Sequence, residues 1–427
     1  MKTRYLLLNL AVLTIVAAVA DDLTLISPKA GETVALIPAE FKAYLAKGRA
    51  ERRKLFVEKN VREGWRKVSP NCHPLPVTFA WKGATGGELQ VERLPDRKLF
   101  FKGAIPSNTY ALANFEIART YAWRVTAGGQ TQAGEFKTED VAPRMICWPG
   151  ISNMRDLGGR RGLGGKRVKQ GMIYRNAGLN SNATFKFLTE DDLKKAYAEG
   201  KLEEVIRPTV DSSGAPSRAE HYAKKIGKML KKGQKLPKRY VDRKFLIAES
   251  ATPGKNRLTP ENLAWGLGFF GIKTDLDLRC WRECWGMTGS PLGPTVKWFN
   301  YSSSDYGGMA DDFGRDAFTK CFKVFLDAKN YPIDFHCIAG ADRTGAVAFI
   351  LNGLLGVDEE ELYRDWEVTG FTNTTADFNH KSRFDKLVAV FDKYEGATIN
   401  ERVEKYVLSL GFTAEDIATF RNLMLED

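Results

Sequence analysis

Cysteine and histidine are both scarce in this chain. Six cysteines are spread over 427 residues, too few and too scattered for a disulfide scaffold. Cys280 and Cys284, in the stretch CWREC, are the best candidates for a local disulfide. The four histidines show no spacing that would complete a zinc site with these cysteines. The sequence therefore predicts no metal site, and we expect no cofactor.

Long apolar runs are absent beyond the first twenty residues. The chain opens with MKTRYLLLNLAVLTIVAAVADD, in which Lys2 and Arg4 precede an apolar run from Leu6 that ends in Ala18 to Ala20. This pattern is typical of a secretory signal peptide, and the run is shorter than the roughly 20 residues of a membrane-spanning helix. An uncleaved membrane anchor is the alternative. We expect residues 1–20 to be a signal peptide and the mature protein to be periplasmic or secreted, without a membrane span.

Acidic residues are outnumbered, and the net charge is +12. Much of the excess is local, because the stretch from Arg218 to Lys244 holds eleven basic and two acidic residues. Such a charge run is usually a solvated helix face. The alternative is attraction of an anionic ligand, such as a phosphorylated substrate, a lipid head group or a nucleic acid. The stretch lacks the regularly interleaved aromatic residues of a base-stacking surface, so we expect no nucleic-acid partner.

Short strand patterns dominate residues 21–142. Strand-like alternation recurs from Pro76 onward in PVTFAW, ELQVERL, KLFFKG, TYALANFEI, TYAWRVTAGG and TQAGEFKT, with turn residues between the runs. Strands at this spacing predict an all-β sandwich. Apolar residues at helical spacing between Pro38 and Lys67 predict a helical insertion in that sandwich. The run TYAWRVTAGG resembles the fibronectin type III-like domains that often precede exported enzymes, which implies a role in spacing, docking or binding.

Helix and strand patterns alternate in residues 143–427. The residues Thr259 to Glu261 form a helix start, and IKTDLDLR, from Ile272, has a strand pattern. A second strand, YPIDFH, is followed by the apolar helix TGAVAFILNGLLG. This order predicts an α/β domain with a mostly parallel sheet flanked by helices. A polar, basic and helical segment at about 181–257 interrupts the order, and we interpret it as an insertion or cap.

The stretch HCIAGADRTG, His336 to Gly345, lies between that second strand and the apolar helix. A loop in this position directs backbone N–H groups and the positive end of the helix at one point, which is an anion site. Gly340 allows close backbone approach, and Arg343 can hold two oxygens of a phosphoryl group. Cys337 should ionise easily there, so we expect attack on phosphorus through a phosphocysteine intermediate. Inert packing of a buried cysteine is the alternative.

The remaining residues of the stretch are assigned by position. We expect Thr344 to hydrogen-bond the sulfur and ease its departure, and His336 to orient the loop rather than to act as a base. The phosphate would be held by the residues of the loop itself, which are Ile338, Ala339, Gly340, Ala341, Asp342 and Arg343.

This loop resembles the cysteine-dependent phosphatases, whose signature is Cys, five residues, Arg. NMRDLGG at 153–159, MIYRNAGL at 172–179 and DLR at 277–279 narrow the resemblance to the bacterial tyrosine/serine protein phosphatase family. The resemblance covers residues 151–179 and 258–371. It implies a dual-specificity phosphatase-like α/β fold, metal-free phosphomonoester hydrolysis, and activity on phosphotyrosine, phosphoserine and phosphoinositides. The family usually has Lys where this chain has Ala341, which removes a cation that would favour highly charged phosphoinositides.

The general acid stays open between three aspartates. Asp342 lies beside Arg343, as in the resembling family, and could either protonate the leaving oxygen or orient Arg343. Asp277 ends a strand that we expect beside the loop strand, and Asp305 lies on a glycine-rich segment that could close as a lid. A separate group, Asn153, Arg155 and Asp156, is expected to form a structural hydrogen-bond network that supports the loop.

The sequence therefore predicts an exported protein tyrosine phosphatase, with dual specificity left open. One alternative is an inositol polyphosphate or phosphoinositide phosphatase, phytase-like, with the same mechanism. Another is an inactive phosphate-binding or adhesion module, which the presence of both Cys337 and Arg343 disfavours. The expected partner is a phosphorylated protein or a small phosphomonoester, and the oligomeric state stays open.

Overall fold

The computed structural model describes residues 22–56, 74–179, 188–206, 216–237, 240, 258–280, 283, 287, 289–371 and 381–427. The predicted signal peptide lies outside these residues. The chain divides into two compact units. Of the described residues, the first unit comprises 22–34, 77–112 and 119–137, and the second comprises those within 35–76, 113–118 and 138–427.

The first unit is all-β, as predicted. Its strands are β1 (Thr24–Ser27), β2 (Thr33–Val34), β3 (Val77–Lys82), β4 (Gly87–Leu94), β5 (Lys98–Ile105), β6 (Thr109–Leu112), β7 (Thr120–Ala127) and β8 (Gln130–Thr138). One sheet has the order β1-β3-β6 and the other the order β2-β8-β7-β4-β5. Alternate residues of β7 are buried, and the Trp123 ring packs 5.2 Å from that of Phe79. The closer likeness to fibronectin type III domains stays a prediction.

The expected helical insertion does form, but it belongs to the second unit. Helices α1 (Ala39–Leu45) and α2 (Arg49–Phe56) fall within residues 35–76. Tyr44 packs against Phe371 with ring centroids 4.6 Å apart, and Arg52 Nε donates to Glu367 at 2.7 Å. The domain boundary expected from the sequence therefore differs here, because periodicity identifies an amphipathic helix without identifying the core that it joins.

The second unit is built on a five-stranded sheet. Its strands are β9 (Arg155–Asp156), β10 (Ile173–Asn176), β11 (Thr274–Asp277), β12 (Lys297–Asn300) and β13 (Ile333–His336), in the order β12-β11-β13-β10-β9. The first four strands of that order are parallel, and β9 pairs antiparallel with β10. This confirms a mostly parallel sheet in an α/β unit.

Helices cover the sheet of the second unit. Beyond the insertion they are α6 (Pro260–Phe270), α7 (Asp312–Leu326), α8 (Arg343–Leu354), α9 (Glu359–Val368), α10 (Lys381–Phe391), α11 (Ile399–Leu408) and α12 (Ala414–Met424). Every residue of α8 after Arg343 is buried, which explains why its sequence is apolar on all sides. Thr259 caps α6 by accepting from the Asn262 N–H, and Gly271 ends that helix with a positive φ of 62°.

Among the described residues between β10 and α6 lie the helices α3 (Glu190–Ala198), α4 (Leu202–Ile206) and α5 (Pro216–Lys231). They pack around a small cluster of their own that includes Leu193, Ile206 and Ile226. A helical insertion was expected here. Within the described ranges, none of the helices combines the length and apolarity needed to cross a membrane.

The cysteines differ from the sequence expectation. Cys280, Cys321 and Cys337 are not disulfide-bonded, whereas Cys147 is. The predicted disulfide between Cys280 and Cys284 is therefore wrong. Spacing favoured that pair, but the backbone N–H of Cys280 is instead part of a turn in which it donates to Glu283 at 2.7 Å.

Candidate active site

The carboxyl ends of three parallel strands meet at one edge of the second sheet. Asn176 of β10 is in register with His336 of β13, which is in register with Asp277 of β11. Ligand sites of parallel sheets lie at this edge. Cys337 follows β13 directly and is 1% exposed, and α8 begins at Arg343. The predicted nucleophile thus lies between a strand end and a helix start.

The signature loop, residues 337–343, has its carbonyls bound from outside. Three donors hold successive carbonyls in the pairs Gly178 N–H to Ile338 O (2.8 Å), Asn153 Nδ2 to Ala339 O (2.9 Å) and Arg175 Nη2 to Gly340 O (2.7 Å). In a planar trans peptide the C=O and the following N–H point in opposite directions. The amides of residues 339–341 therefore point to the inner side of the loop, where they can bind an anion.

Two small residues allow the signature loop to pack this tightly. Gly340 has a φ of 65°, and a Cβ there would lie 2.2 Å from the carbonyl oxygen of Asn176. Ala341 is 0% exposed and belongs to the hydrophobic core. The position where the resembling family usually has Lys therefore faces the core in this chain.

The guanidinium of Arg343 is bound by a carboxylate that the sequence did not identify. Glu283 accepts from Nη1 at 2.5 Å and from Nη2 at 3.0 Å. Burial alone would raise the pKa of Glu283, but Arg343 outweighs it and lowers that pKa. Burial alone would lower the pKa of Arg343, but Cys337 and Glu283 raise it. Arg343 is thus a permanent cation with a fixed direction.

Asp342 is held by a phenol. The Tyr306 hydroxyl donates to the Asp342 carboxylate, and Asp342 itself is only partly buried. Asp305, another candidate acid, is exposed and precedes the 3-10 turn Tyr306–Ala310. Of these two aspartates, Asp342 lies in the signature loop itself, next to Arg343.

Asp277 does not fit the role of a proton donor. It is 0% exposed, and its two oxygens accept from Arg279 Nε at 2.9 and 3.1 Å and from Arg279 Nη2 at 2.7 Å. Burial alone would raise the pKa of this carboxyl, but Arg279 and His336 outweigh it and lower that pKa. An ionised carboxylate engaged on both oxygens cannot deliver a proton. We therefore correct the prediction and assign Asp277 a structural role.

His336 lies in a buried group of carboxylates. Its Nδ1 is 3.2 Å from the Cys337 carbonyl oxygen, and its Nε2 is 3.0 Å from Asp275 Oδ1. Burial alone would lower the pKa of this imidazole, but Asp277 and Asp275 raise it to about 9. A protonated His336 donates from both nitrogens, which fits the expected orienting role and not that of a base.

Asp365 of α9 collects three buried arginines behind the signature loop. Its carboxylate accepts from Arg155 Nε at 3.0 Å, from Arg160 Nη2 at 2.8 Å, and from Arg175 Nη1. Arg155 also donates to Asn153 Oδ1 at 2.5 Å. Because Arg175 and Asn153 bind loop carbonyls, this network connects α9 to the loop, as expected of Asn153 and Arg155.

Asp156 contributes at a different place from its neighbours in sequence. It accepts from Arg144 at 2.8 Å and from the backbone amides of Gly158 and Gly171 at 2.7 and 2.6 Å. These contacts fix the turns beside β9 and β10 rather than the signature loop. The supporting role expected for Asp156 is therefore indirect.

Thr344 is fully buried in the first turn of α8. Its hydroxyl has no hydrogen-bond partner among the residues that the structure describes. A hydroxyl without a partner can still donate one hydrogen bond. The predicted bond from Thr344 to the sulfur of Cys337 stays a prediction that this position permits.

Several residues of the site were missed, for different reasons. Asp275 could have been noticed as an acidic residue within a buried strand pattern, which is unusual. Arg175 lies inside MIYRNAGL, but the sequence does not indicate its partner. Glu283, Tyr306 and Asp365 carry no signal of their own, because each acts through a contact distant in sequence.

Comparison with known proteins adds an independent observation. The tyrosine phosphatase family matches residues 146–206 and 252–426. A Cupriavidus necator protein named "Putative tyrosine-protein phosphatase" is 24% identical over 229 residues, which cover 52% of this chain and 61% of the relative. This chain thus spans about three fifths of that relative's length.

A solved structure, the core catalytic domain of the PP-IP phosphatase SIW14 from S. cerevisiae in complex with citrate, shares 16% identity. The match covers 35% of this chain and 76% of that domain, with a TM-score of 0.21, too low to carry an argument. The family match covers more than half of the chain, including the sheet, the signature loop and its supporting residues. The chain belongs to the tyrosine phosphatase family.

Proposed function

We propose that this chain is an exported protein tyrosine phosphatase that hydrolyses phosphomonoesters through a phosphocysteine intermediate on Cys337. The observation that carries the proposal is the signature loop itself. Cys337 and Arg343 lie at its two ends, and the N–H groups of residues 339–341 point inward because the carbonyls of the preceding residues, 338–340, are bound from outside. Membership of the tyrosine phosphatase family supports a phosphatase.

In the first step the Cys337 thiolate attacks phosphorus, and the bond from phosphorus to the leaving oxygen breaks. The loop amides and the Arg343 guanidinium hold the three non-bridging oxygens as their charge changes. Asp342, next to Arg343, donates a proton to the leaving oxygen.

In the second step water attacks the phosphocysteine, and the bond between phosphorus and sulfur breaks. Asp342, now a carboxylate, takes the proton from the attacking water. Thr344 donates a hydrogen bond to the departing thiolate and keeps its proton. The enzyme thus returns to its starting state, with Cys337 as the thiolate and Asp342 protonated. Each step balances without a metal ion or an external redox partner.

The surroundings of the loop favour substrates of low charge. Ala341, at the position where the resembling family usually has Lys, has an uncharged methyl side chain, which is buried. Glu283 adds a carboxylate beside Arg343, and its side chain is 19% exposed. A polyphosphorylated inositol would meet this negative charge, whereas a single phosphotyrosine presents one phosphate to the loop. We therefore place phosphotyrosine ahead of inositol polyphosphates, with dual specificity left open.

Two features of the chain support export. Residues 1–20 have a signal-peptide pattern, and Cys147 is disulfide-bonded, which is common in oxidising compartments and rare in reducing ones. The all-β unit would then space or dock the enzyme outside the cell membrane, as its fibronectin type III-like pattern suggests.

The decisive experiment is hydrolysis of p-nitrophenyl phosphate in EDTA and a reductant, comparing the wild type with Cys337→Ser and Cys321→Ser. Cys321 is a fully buried thiol in α7 and controls for the general effect of losing a cysteine. We expect the Cys337 variant to be inactive and the Cys321 variant to retain turnover. Phosphate binding without turnover in the wild type would favour the inactive binding module. Phosphotyrosine peptides and inositol phosphates then compare the substrate classes.

A further inference from the structure

The insertion between β10 and α6 is a small folded module. Helices α3, α4 and α5 contact one another and bury Leu193, Leu202 and Ile226 among their cluster. The family match includes α3 and α4 but leaves out residues 207–251, so it does not cover α5. The family match therefore does not account for α5, which completes this module.

The outer side of the module carries what we call the lysine face. It consists of six exposed lysines, Lys224, Lys225, Lys228, Lys231, Lys232 and Lys235. At 100° per residue, the lysines on α5 and directly after it fall within an arc of about 120° opposite the buried Ile226. The apolar side of α5 is thus used by the module's own core, and its charged side is left to solvent.

The lysine face is nearly unpaired. Lys224 lies 2.5 Å from Glu220, in an exposed pair that neutralises little of the field. The other five lysines have no acidic group within ion-pair distance in the part of the chain that the structure describes. Residues 220–237 hold six lysines and one glutamate, whereas residues 188–206 hold three lysines and six acidic residues. The module is therefore polarised, with its positive side on α5.

We propose that the lysine face docks this protein on an anionic phospholipid surface. Lysines are point charges without the planar fork by which arginine recognises individual phosphates. No exposed Phe, Trp or Tyr lies among residues 220–237 to stack on nucleic-acid bases. The lysine face presents a broad positive electrostatic field and no side chains arranged to bind one particular phosphate. Such a field suits a layer of mobile anionic head groups. Because the apolar side of α5 is buried in the module, binding is electrostatic and does not insert the helix.

The test uses the full mature chain and unilamellar vesicles of phosphatidylcholine, with or without phosphatidylglycerol. One variant replaces the five lysines of the face that precede residue 233 with Gln, namely Lys224, Lys225, Lys228, Lys231 and Lys232. The control removes the same charge elsewhere, through Gln at five exposed lysines, namely Lys29, Lys82, Lys98, Lys137 and Lys166. Co-sedimentation at low and high salt measures binding, and p-nitrophenyl phosphate turnover is measured in parallel.

We expect the wild type and the control to bind only the vesicles with phosphatidylglycerol, and to release them at high salt. The lysine-face variant should bind these vesicles at least about tenfold more weakly. Equal losses in both variants would overturn the proposal, because net charge would then suffice. So would tighter binding to single-stranded DNA than to vesicles, or a change of oligomeric state in the lysine-face variant, which would identify a second copy as the partner.

Turnover separates this proposal from the proposed phosphatase activity. All three proteins should hydrolyse the soluble substrate equally, because the substituted lysines lie outside the signature loop and its supporting residues. Absence of turnover in the wild type would count against the proposed phosphatase activity, while the vesicle-binding result could still be interpreted. Absence of vesicle binding with normal turnover would refute the docking proposal alone.

Discussion

The phenol of Tyr306 donates a hydrogen bond to the carboxylate of Asp342. Tyr306 is 4% exposed and has a left-handed φ of 45°, a conformation that few bulky residues adopt. Burial, and after it the charge of Asp342, raises the pKa of this phenol. Tyr306 therefore remains a donor at any pH at which the enzyme would work, and it fixes the direction of the acid that we assign to the leaving group.

Tyr306→Phe should impair leaving-group protonation selectively. Without the phenol Asp342 loses its orientation, and kcat for an alkyl phosphate should fall about tenfold or more. The rate for p-nitrophenyl phosphate should fall less, because its leaving group needs little protonation. The measurement is the dependence of kcat on leaving-group pKa, with Asp342→Asn alongside.

Tyr331→Phe is the matched control for this prediction. Its hydroxyl is buried and donates to the Phe325 carbonyl at 2.5 Å, away from the signature loop. It should leave the leaving-group dependence as in the wild type. An equal fall for all substrates in Tyr306→Phe would contradict an effect exerted through Asp342.

Glu283→Ala should weaken phosphate binding. The carboxylate holds both terminal nitrogens of Arg343, so its loss lets the guanidinium leave the position that an anion requires. We expect kcat/KM to fall about tenfold and the inhibition constant of inorganic phosphate to rise in parallel. Glu261→Ala, at the exposed start of α6, should change neither. Tighter phosphate binding in Glu283→Ala would show that the carboxylate acts mainly as a repelling charge.

Asp365→Asn should be strongly destabilising. Three buried arginines depend on this carboxylate, and breaking a buried pair of this kind costs about 3–5 kcal/mol. Asp385→Asn removes a carboxylate that is 51% exposed and pairs with Arg53, and it should cost less than about 1 kcal/mol. Urea unfolding measures both. Similar losses in the two variants would mean that the arginines find other partners.

The sequence predicted the parts of the fold and site that depend on local pattern. Period-two and helical spacing identified the strands of the first unit and the order of helix and strand in the second, because each depends on neighbours in sequence. The loop between β13 and α8 could be placed for the same reason. Chemistry that is local in sequence was therefore visible before the fold was known.

What escaped prediction depends on contacts between distant segments. The α1 and α2 pair was assigned to the wrong core. Asp277 is a local exception: its ion-pair partner Arg279 is only two residues away, but a strand pattern does not show which way the two side chains turn. Glu283 and Asp365 lie on a turn and a helix whose patterns show only that they are polar. An ion pair between residues far apart in sequence produces no periodic pattern. The roles of Glu283 and Asp365 therefore become apparent only when the folded chain brings the segments together.

His336 should make stability depend on pH in the neutral to alkaline range. Its pKa in the folded protein is about 9, raised from 6.5. Because the folded state holds the proton more tightly, the stabilisation is full below pH 6.5 and is lost as the pH rises through about 9. The free energy of unfolding should fall by about 3 kcal/mol across that interval. Urea unfolding at a series of pH values measures the fall, and His336→Gln should flatten this part of the curve; an unchanged slope would assign the dependence to other groups.

Gly340→Ala should abolish turnover, and Gly164→Ala isolates the reason. Both glycines have a φ of 65°, but a Cβ at Gly340 would lie 2.2 Å from the Asn176 carbonyl oxygen, whereas a Cβ at Gly164 has no heavy atom within 4 Å. The strain of a left-handed alanine, about 1–2 kcal/mol, is thus common to both variants. The collision is confined to Gly340, where backbone meets backbone and no rotamer change can relieve it.

The loop must therefore move away from β10 in Gly340→Ala, which displaces the inward amides and Arg343 together. We expect Gly164→Ala to keep wild-type kcat/KM with slightly reduced stability. Gly340→Ala should lose turnover by about a hundredfold or more, since small displacements in a preorganised site have effects of that size, and it should also lose phosphate binding. If both variants lose activity equally, conformational strain alone would suffice. If neither does, the close approach of the loop to β10 is not needed to form the anion site.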